Sequence, residues 1–370
     1  EDMGNDGLEL SHVQLTNYLL NETCKITNIT GTHNASDGPC EKYTPHEMER
    51  FAWYNDIASF IWMYVPGILI CLGLIGNSLS VAVMTRPSLR KKVSSLFFTI
   101  LAFVDTLSLL TGLLRYWILG LTGHDYDIRA TSDVACKLHT FLVYWTIDFS
   151  GWIVALVALE RCFAANIPHW YKQSCTRTKA ALSLIVCGLV LFLKNSHFFF
   201  SVKLGESSKF TDQPTCVDLP EFDFYQRVIF PWIDLLFYCI APFICLLSCN
   251  ISIIVKFIKL RRDKLKKLDH RLSSMTTMLI SLSVVYILCT APIAIYLIYQ
   301  HAWLDDDDLV YYGKMRVYFS CAIVISYFNN SINFFLYCVS GSRFRSELKT
   351  MFSCETVWTK STEESSYSGV

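Results

Sequence analysis

Charged side chains are scarce in this chain of 370 residues. Only 17% of its residues are Asp, Glu, Lys or Arg, whereas a soluble domain carries roughly a quarter. The 32 basic and 32 acidic residues cancel, so the chain has no net charge with which to attract nucleic acid. Because 52% of its residues are hydrophobic, it has too much apolar surface for a disordered protein. The apolar residues must therefore be buried either in a very large core or in a lipid bilayer.

The apolar residues gather in seven runs, each long enough to cross the hydrocarbon core of a membrane, which takes about 20 residues. Alternating ten-residue strands, which would indicate a membrane β-barrel, are lacking. Since only helices and closed barrels satisfy every backbone group in lipid, we predict an all-α membrane protein, a seven-transmembrane helix bundle. The predicted spans are 57–84, 95–121, 138–165, 178–202, 228–258, 274–300 and 317–340.

The charges between the runs predict how the bundle is oriented. Lys and Arg concentrate in the connections 85–94, 166–177 and 259–273, whereas the opposite side is acidic, with a dense group at Asp305–Asp308. Basic connections face the cytoplasm, so we expect the N-terminus outside the cell and the tail inside. Three glycosylation sequons in the predicted outer segment 1–56 agree with this orientation; they begin at Asn21, Asn28 and Asn34.

Six short motifs stand in a fixed order along the runs. Together they resemble the motifs of rhodopsin-like G-protein-coupled receptors, over roughly residues 57–352. The motifs are Gly76-Asn77, Leu101-Ala102-Phe103-Val104-Asp105, Glu160-Arg161-Cys162, Pro242, Cys289-Thr290-Ala291-Pro292 and Asn333-Phe334-Phe335-Leu336-Tyr337. Two further segments, Pro168 to Thr176 and Asn195 to Phe199, are loosely similar to invertebrate neuropeptide receptors of the FMRFamide type.

The resemblance implies a receptor and not an enzyme. It implies a plasma-membrane protein that binds an extracellular ligand and activates a heterotrimeric G protein. It also implies a disulfide bond between Cys136 and Cys216 across the outer mouth of the bundle. The two other outer cysteines, Cys24 and Cys40, either pair with each other or remain free thiols.

Asp105 is an acidic residue in the middle of the second run, where an ionisable group is costly and is by default a functional candidate. If the runs pack as in the resembled family, Asp105 meets Ser150, Asn329 and Asn333 in a small polar cavity. Such a set of oxygen atoms suits an allosteric sodium ion. The alternative is a water-filled network around a neutral Asp105.

Arg161 ends the third run beside Glu160, at the cytoplasmic side of the predicted bundle. The resemblance implies that these two residues, with Asn333 and Tyr337, form the switch that responds to a G protein. A local ion pair that opens when helices separate is a two-state element of the required kind. The alternative is an arginine that only extends toward the membrane surface.

The sequence also limits the ligand. Receptors for biogenic amines in the resembled family carry an Asp where this chain has Val143, which argues against a monoamine. A short neuropeptide is favoured, and an amidated peptide carrying an Arg would suit the acidic outer face. The residues expected to face the ligand combine aromatic rings with charges of both signs; they are Arg115, Tyr116, Trp117, Tyr144, Asp148, Lys194, Trp232, Asp234, Tyr296 and Tyr299.

After the seventh run, residues 341–353 place apolar side chains on one face at helical spacing, which predicts an amphipathic helix on the membrane surface. Cys354 directly after it is either a palmitoylation site or a free thiol.

The basic block 256–271 is either a solvated loop or a contact for anionic lipids. Within the tail 354–370, Ser366–Val370 either form a ligand for a PDZ protein or end the chain by chance.

A multi-span membrane transporter is the alternative class. A transporter would be expected to have internal repeats and Gly- or Pro-broken helices near the midplane, and neither is visible in the sequence. An enzyme would need a catalytic constellation, but the nine histidines form no His-x-x-x-His pair and no Gly-x-Ser-x-Gly motif occurs. The basic third connection and the Glu160-Arg161 motif favour the receptor.

Overall fold

The structure is a computed structural model that describes residues 44–123, 125–205, 214–262, 280–298 and 308–353, and side chains in these ranges except those of 260–262. Seven helices in these ranges are long and apolar enough to cross a membrane, so the predicted seven-helix bundle is confirmed. They are α1 (Pro45–Met84), α2 (Val93–Thr122), α3 (Asp133–Asn166), α4 (Arg177–Ser201), α5 (Tyr225–Lys259), α6 (Ile280–Ile298) and α7 (Leu309–Ser340). An eighth helix, α8 (Ser342–Phe352), follows.

The parts of the connections that the structure describes contain little regular structure. A short helix, Pro168–Ser174, follows α3 on one side of the bundle. On the other side, β1 (Val202–Leu204) pairs antiparallel with β2 (Cys216–Asp218), with Val202 opposite Asp218 and Leu204 opposite Cys216. Two 3₁₀ turns, Ile128–Thr131 and Pro220–Phe222, complete the described connections.

Helix α1 begins twelve residues earlier than predicted, at Pro45, so residues 45–56 belong to the bundle and not to the outer segment. Thr44 and Glu47 form a capping box, in which the Thr44 backbone N–H donates to Glu47 Oε2 at 2.7 Å and the Glu47 N–H donates to Thr44 Oγ1 at 3.3 Å. Hydropathy missed these turns because they are polar. They are held by packing on α7, where Phe51 stacks near Tyr312.

Helix α3 lies in the middle of the bundle and contacts α2, α4 and α5, while α1 packs along α7. The α3 residues Ile153, Val157 and Ala158 are fully buried, in the part of the core that also contains Tyr337 and Phe344. Helix α4 is peripheral, and it presents Leu189 and Leu193 outward, as a lipid-facing helix does. Elements attached to α3 are therefore the best placed to pass a movement to the other helices.

Helices α2 and α5 contain turns of π-helix. One is Leu109–Leu113 in α2, and two others, Tyr225–Ile229 and Leu236–Ile240, flank the segment Phe230–Leu235 of α5. A π turn adds one residue to a helical turn and is common at functional sites. It also rotates the following residues around the helix axis, which changes the side chains that face the bundle interior.

A disulfide bond joins Cys136 at the N-terminal end of α3 to Cys216 on β2, as predicted. The β1 strand is held at the same place, because the Leu204 N–H donates to Asp133 Oδ1 at 3.1 Å. Several predicted sites lie outside the described residues and stay predictions: Cys24, Cys40, Asn21, Asn28, Asn34, Tyr299, Cys354 and the end of the tail.

The surface helix α8 is anchored by one aromatic side chain. Phe344 is buried and packs edge-on against Phe334 and Tyr337 of α7. One turn further along α8, Glu347 pairs with Arg86, two residues after the end of α1, with 2.9 Å between Oε2 and Nε. The helix is amphipathic, with most of its polar residues exposed, as the prediction of a membrane-surface helix requires.

Replacing either cysteine of the disulfide tests its contribution to stability. We expect Cys136→Ser and Cys216→Ser each to lower the stability of the purified protein by about 2–5 kcal/mol, the usual cost of losing a native disulfide. The double variant should cost little more than either single variant, because the same bond is lost. Thermal unfolding in detergent measures all three, with Cys71→Ala, at an exposed free cysteine, as the control. Additive losses would contradict the bond.

Candidate functional site

A cavity of about 210 Å³ lies between α2, α3, α5, α6 and α7. Six of the predicted ligand-facing residues line it: Arg115, Tyr116, Tyr144, Asp148, Asp234 and Tyr296. Val143 also lines it, so the position at which amine receptors of the resembled family have an acid does face this space. The sequence interpretation missed other lining residues, among them Arg129, His139, Tyr238, Phe319 and Tyr327.

The outer part of the cavity carries a cluster of two arginines and one acid. Arg115 of α2 holds Asp127 with two hydrogen bonds, Nε to Oδ1 at 2.9 Å and Nη2 to Oδ2 at 2.6 Å, and Arg129 Nη2 lies 3.3 Å from Oδ2. Burial alone would raise the pKa of Asp127, but the hydrogen bonds and charges of Arg115 and Arg129 lower that pKa well below its ordinary value. Asp127 therefore stays ionised, and this cluster carries a net positive charge.

The inner part carries the opposite arrangement, with two acids and one lysine. Lys194 Nζ of α4 lies 2.9 Å from Asp148 Oδ2 of α3 and also pairs with Asp234 of α5. The amide Nδ2 of Asn195 donates to the same oxygen of Asp148 at 2.9 Å, and the lysine ammonium lies 5.2 Å from the centre of the Phe230 ring. The side chains of all three charged residues are 8% exposed or less.

Three predicted ligand contacts do not line the cavity, and the first two of them are tryptophans. Trp232 is 62% exposed on the outside of the bundle, and Trp117 packs on α1, where its Nε1 donates to the Met63 carbonyl at 3.0 Å. Both errors have the same cause. Residues two positions apart on a helix point about 200° apart, so Trp232 cannot face the cavity together with Asp234, nor Trp117 with Arg115. Lys194 does not line the cavity either; it reaches the two acids from behind.

Deeper in the bundle, Asp105 joins three helices. Its carboxylate is fully buried and accepts hydrogen bonds from Ser150 Oγ at 2.5 Å, Asn330 Nδ2 at 2.8 Å and Asn333 Nδ2 at 2.7 Å. The predicted contact with Asn329 is wrong, because its neighbour Asn330 takes that place. Asn329 is four residues and Asn330 three residues before Asn333, so both lie on the face of α7 that carries Asn333. The sequence therefore could not show which of the two contacts Asp105.

Near the C-terminal end of α3, Arg161 forms a local ion pair. Its Nε lies 2.9 Å from Glu160 Oε2, and the guanidinium also donates to the hydroxyl of Ser94 on α2. The short helix after α3 adds Tyr171, whose hydroxyl donates to Glu160. Burial, together with the hydrogen bond and charge of Glu160, raises the pKa of Tyr171, so its hydroxyl remains a proton donor. The sequence interpretation missed Tyr171.

Tyr337, the other predicted switch residue of α7, is buried between Phe98 of α2 and Phe344 of α8. Asn333 lies one turn above it, at Asp105. The four predicted switch residues thus fall into two groups. Glu160 and Arg161 pair with each other, while Asn333 and Tyr337 connect the Asp105 cluster to the surface helix.

Removing Lys194 tests the inner charge cluster. We expect Lys194→Met to destabilise the protein by about 3–5 kcal/mol, because two buried carboxylates lose their cation. Adding Asp148→Asn and Asp234→Asn should restore most of that loss, since the triple variant has no buried charge left there. Thermal unfolding in detergent measures both. Lys137→Met, at an exposed ion pair with Asp133, should cost about 1 kcal/mol or less; a triple variant no more stable than the single one would refute this account.

Comparison with known proteins places these features in one family. The family described as "7 transmembrane receptor (rhodopsin family)" matches residues 76–337. Relatives include the FMRFamide receptor of Drosophila melanogaster, 26% identical over 310 residues, which are 77% of this chain and 53% of the relative. This chain therefore spans about half the length of that relative.

Two vertebrate relatives are covered more fully. Cysteinyl leukotriene receptor 1 of Sus scrofa is 22% identical over 302 residues, 80% of this chain and 85% of the relative. Galanin receptor 2b of Danio rerio is 23% identical over 315 residues, 80% of this chain and 76% of the relative. These matches are all receptors, so the transporter alternative has no support. The family match covers more than half of the chain, which is therefore a multi-pass membrane protein of the rhodopsin family of seven-transmembrane receptors.

Proposed function

We propose that this protein is a plasma-membrane receptor that binds an extracellular peptide and activates a heterotrimeric G protein. The observation that carries the proposal is the cavity between five helices, since it is lined by aromatic rings and by charges of both signs. Such a lining suits a peptide, which offers both hydrogen-bonding groups and charged side chains. The names of relatives such as the FMRFamide receptor agree with a peptide ligand.

The proposed orientation has the N-terminus outside the cell. The basic residues of the connections 85–94 and 166–177 support it, because such residues remain in the cytoplasm. The disulfide at the other end of α3 agrees with it, since disulfides persist in an oxidising environment. In this orientation the cavity, with Arg129 at its outer part, is reached from outside, and Arg161 lies at the cytoplasmic side.

The proposed coupling to a G protein goes through Arg161. In the described arrangement its guanidinium is engaged by Glu160 and Ser94, so it is not offered to a partner. A movement of α3 away from α2 would separate Arg161 from Ser94, while Tyr171 would keep donating to Glu160. Once the pair between Arg161 and Glu160 also opened, the arginine would be free, as a two-state switch requires.

Substituting Arg161 tests the coupling. Membranes carrying the receptor and a co-expressed G protein are screened with a library of short amidated peptides, and binding of a GTP analogue is measured. We expect peptide-dependent binding in the unchanged receptor and at least a tenfold loss in Arg161→Ala, with surface expression retained. Arg90→Ala, at an exposed arginine of the first cytoplasmic connection, is the control and should signal normally. Full signalling by Arg161→Ala would rule out the proposed role.

We also propose that a sodium ion binds at Asp105 when the receptor is at rest. The residues fit such an ion, because the Asp105 carboxylate and the Ser150 hydroxyl supply oxygen atoms side by side. A further oxygen, Asn333 Oδ1, is buried and has no hydrogen-bond partner among the described residues. The carboxylate would supply the compensating charge, and Asn330 would keep its orientation through Asp105.

The sodium proposal predicts an ion-specific effect on ligand affinity. Replacing potassium by sodium at constant ionic strength should lower the affinity for an activating peptide, because the ion stabilises the resting arrangement. Asp105→Asn should remove this difference, since the ion loses its counter-charge. Competition binding in the two salts measures the effect. An Asp105→Asn receptor that still distinguishes sodium from potassium would eliminate the site.

The cytoplasmic end of the chain is proposed to contact membrane lipids. Helix α8 would lie on the bilayer, with its polar residues facing the headgroups. A palmitoyl chain on Cys354, two residues after α8 ends, would strengthen this attachment. The PDZ interaction of Ser366–Val370 stays a prediction on residues outside the described ranges.

A further inference from the structure

The inner end of the cavity has one negative charge more than it has positive charge. Asp148 and Asp234 both line the cavity, and among the described residues Lys194 is the cation paired with them. One ammonium balances one of the two carboxylates. The compensating positive charge of the cavity lies elsewhere, on Arg115 and Arg129 at its outer part.

This excess charge lies deep in the bundle. Asp148 is fifteen residues after Asp133, the first residue of α3, which places it about 22 Å along the helix at 1.5 Å per residue. Asp234 lies in the short α-helical segment of α5 between its two π turns. A carboxylate at such a depth is expensive to leave without a partner.

The two carboxylates accept different numbers of hydrogen bonds. Asp148 accepts hydrogen bonds from both Lys194 and Asn195, whereas Asp234 contacts Lys194. A carboxylate has room for about four hydrogen bonds. Asp234 therefore has more unused acceptor capacity on the cavity side, and a cation entering the cavity would find its strongest partner there.

We propose that the ligand of this receptor inserts a cationic group, a guanidinium or an ammonium, to pair with Asp234 and, second, with Asp148. This proposal rests on the proposed function, because it requires that an extracellular ligand enters the cavity. At about 210 Å³ the cavity is smaller than the roughly 300–1,000 Å³ of sites that enclose a whole drug-sized ligand. It admits one basic side chain or one chain end, while the rest of the ligand stays outside.

The walls of the cavity suit such a group. Tyr144, Tyr296 and Phe319 line it, and the faces of aromatic rings attract cations. Lys194 already uses Phe230 in this way from behind the acids. The ligand cation would complete a second ion pair of the same kind, so the inner cluster would hold two acids and two cations.

The experiment compares a cation with its neutral isostere, 4-phenylbutylguanidinium with 4-phenylbutylurea. The full chain is purified in detergent, and its thermal unfolding midpoint is followed as each compound is added, because a compound that binds the folded state raises the midpoint. We expect the guanidinium to stabilise the receptor and to bind at least tenfold more tightly than the urea. Asp234→Asn should weaken guanidinium binding at least tenfold, and Asp148→Asn should weaken it less.

Two further variants keep the test decisive. Asp234→Glu retains the charge and should retain binding, which separates loss of charge from loss of folding. Asp223→Asn changes an exposed acid paired with Arg227 just before α5 and should leave binding unchanged. Equal stabilisation by both compounds, stabilisation by neither, or undiminished guanidinium binding by Asp234→Asn would overturn the proposal.

Failure of this inference is distinguishable from failure of the proposed function. Cation binding is read from unfolding of the isolated receptor, whereas coupling is read from nucleotide binding by the G protein. A receptor that binds the guanidinium but never activates a G protein would contradict the proposed coupling alone. A receptor that activates the G protein but binds the guanidinium and the urea equally would contradict the cation site alone.

Discussion

In the middle of the bundle, the carboxylate of Asp105 accepts hydrogen bonds from Ser150 on α3 and from Asn330 and Asn333 on α7. Lipid offers no hydrogen-bonding partner, so a polar group at this depth must be satisfied by other helices. Asp105 therefore ties α2, α3 and α7 together at one point. The cavity lies on one side of this point and the Arg161 pair on the other, so a movement between them would pass the helices that Asp105 joins.

The same constraint shapes the cavity. Each charge near it has a partner, but the partners come in unequal numbers, two arginines with Asp127 and two acids with Lys194. The result is a cavity that is neutral over these residues yet strongly polarised, positive toward the outside and negative toward the interior. A ligand whose charges match this polarity would bind more tightly than a ligand of the opposite polarity, and this difference in affinity would make the cavity selective.

The fold could be predicted from the sequence because it depends on long apolar runs, which hydropathy records directly. The first turns of α1 escaped this signal, since they are polar and depend on the packing of Phe51 near Tyr312. Contacts between helices were harder to predict. Spacing placed Asn329 and Asn330 equally well beside Asp105, and it did not show which of Trp232 and Asp234, two positions apart on α5, faces the cavity. Such details come from tertiary packing.

Phe344 packs edge-on against both Phe334 and Tyr337, so α8 cannot change its depth in the membrane without disturbing the end of α7. The depth of an amphipathic helix depends on how tightly the lipid headgroups are packed and on how the leaflet is curved. Through these two aromatic contacts, the packing and curvature of the adjoining lipid leaflet would act on α7. The same receptor would then have different resting energies in flat and in curved regions of a membrane.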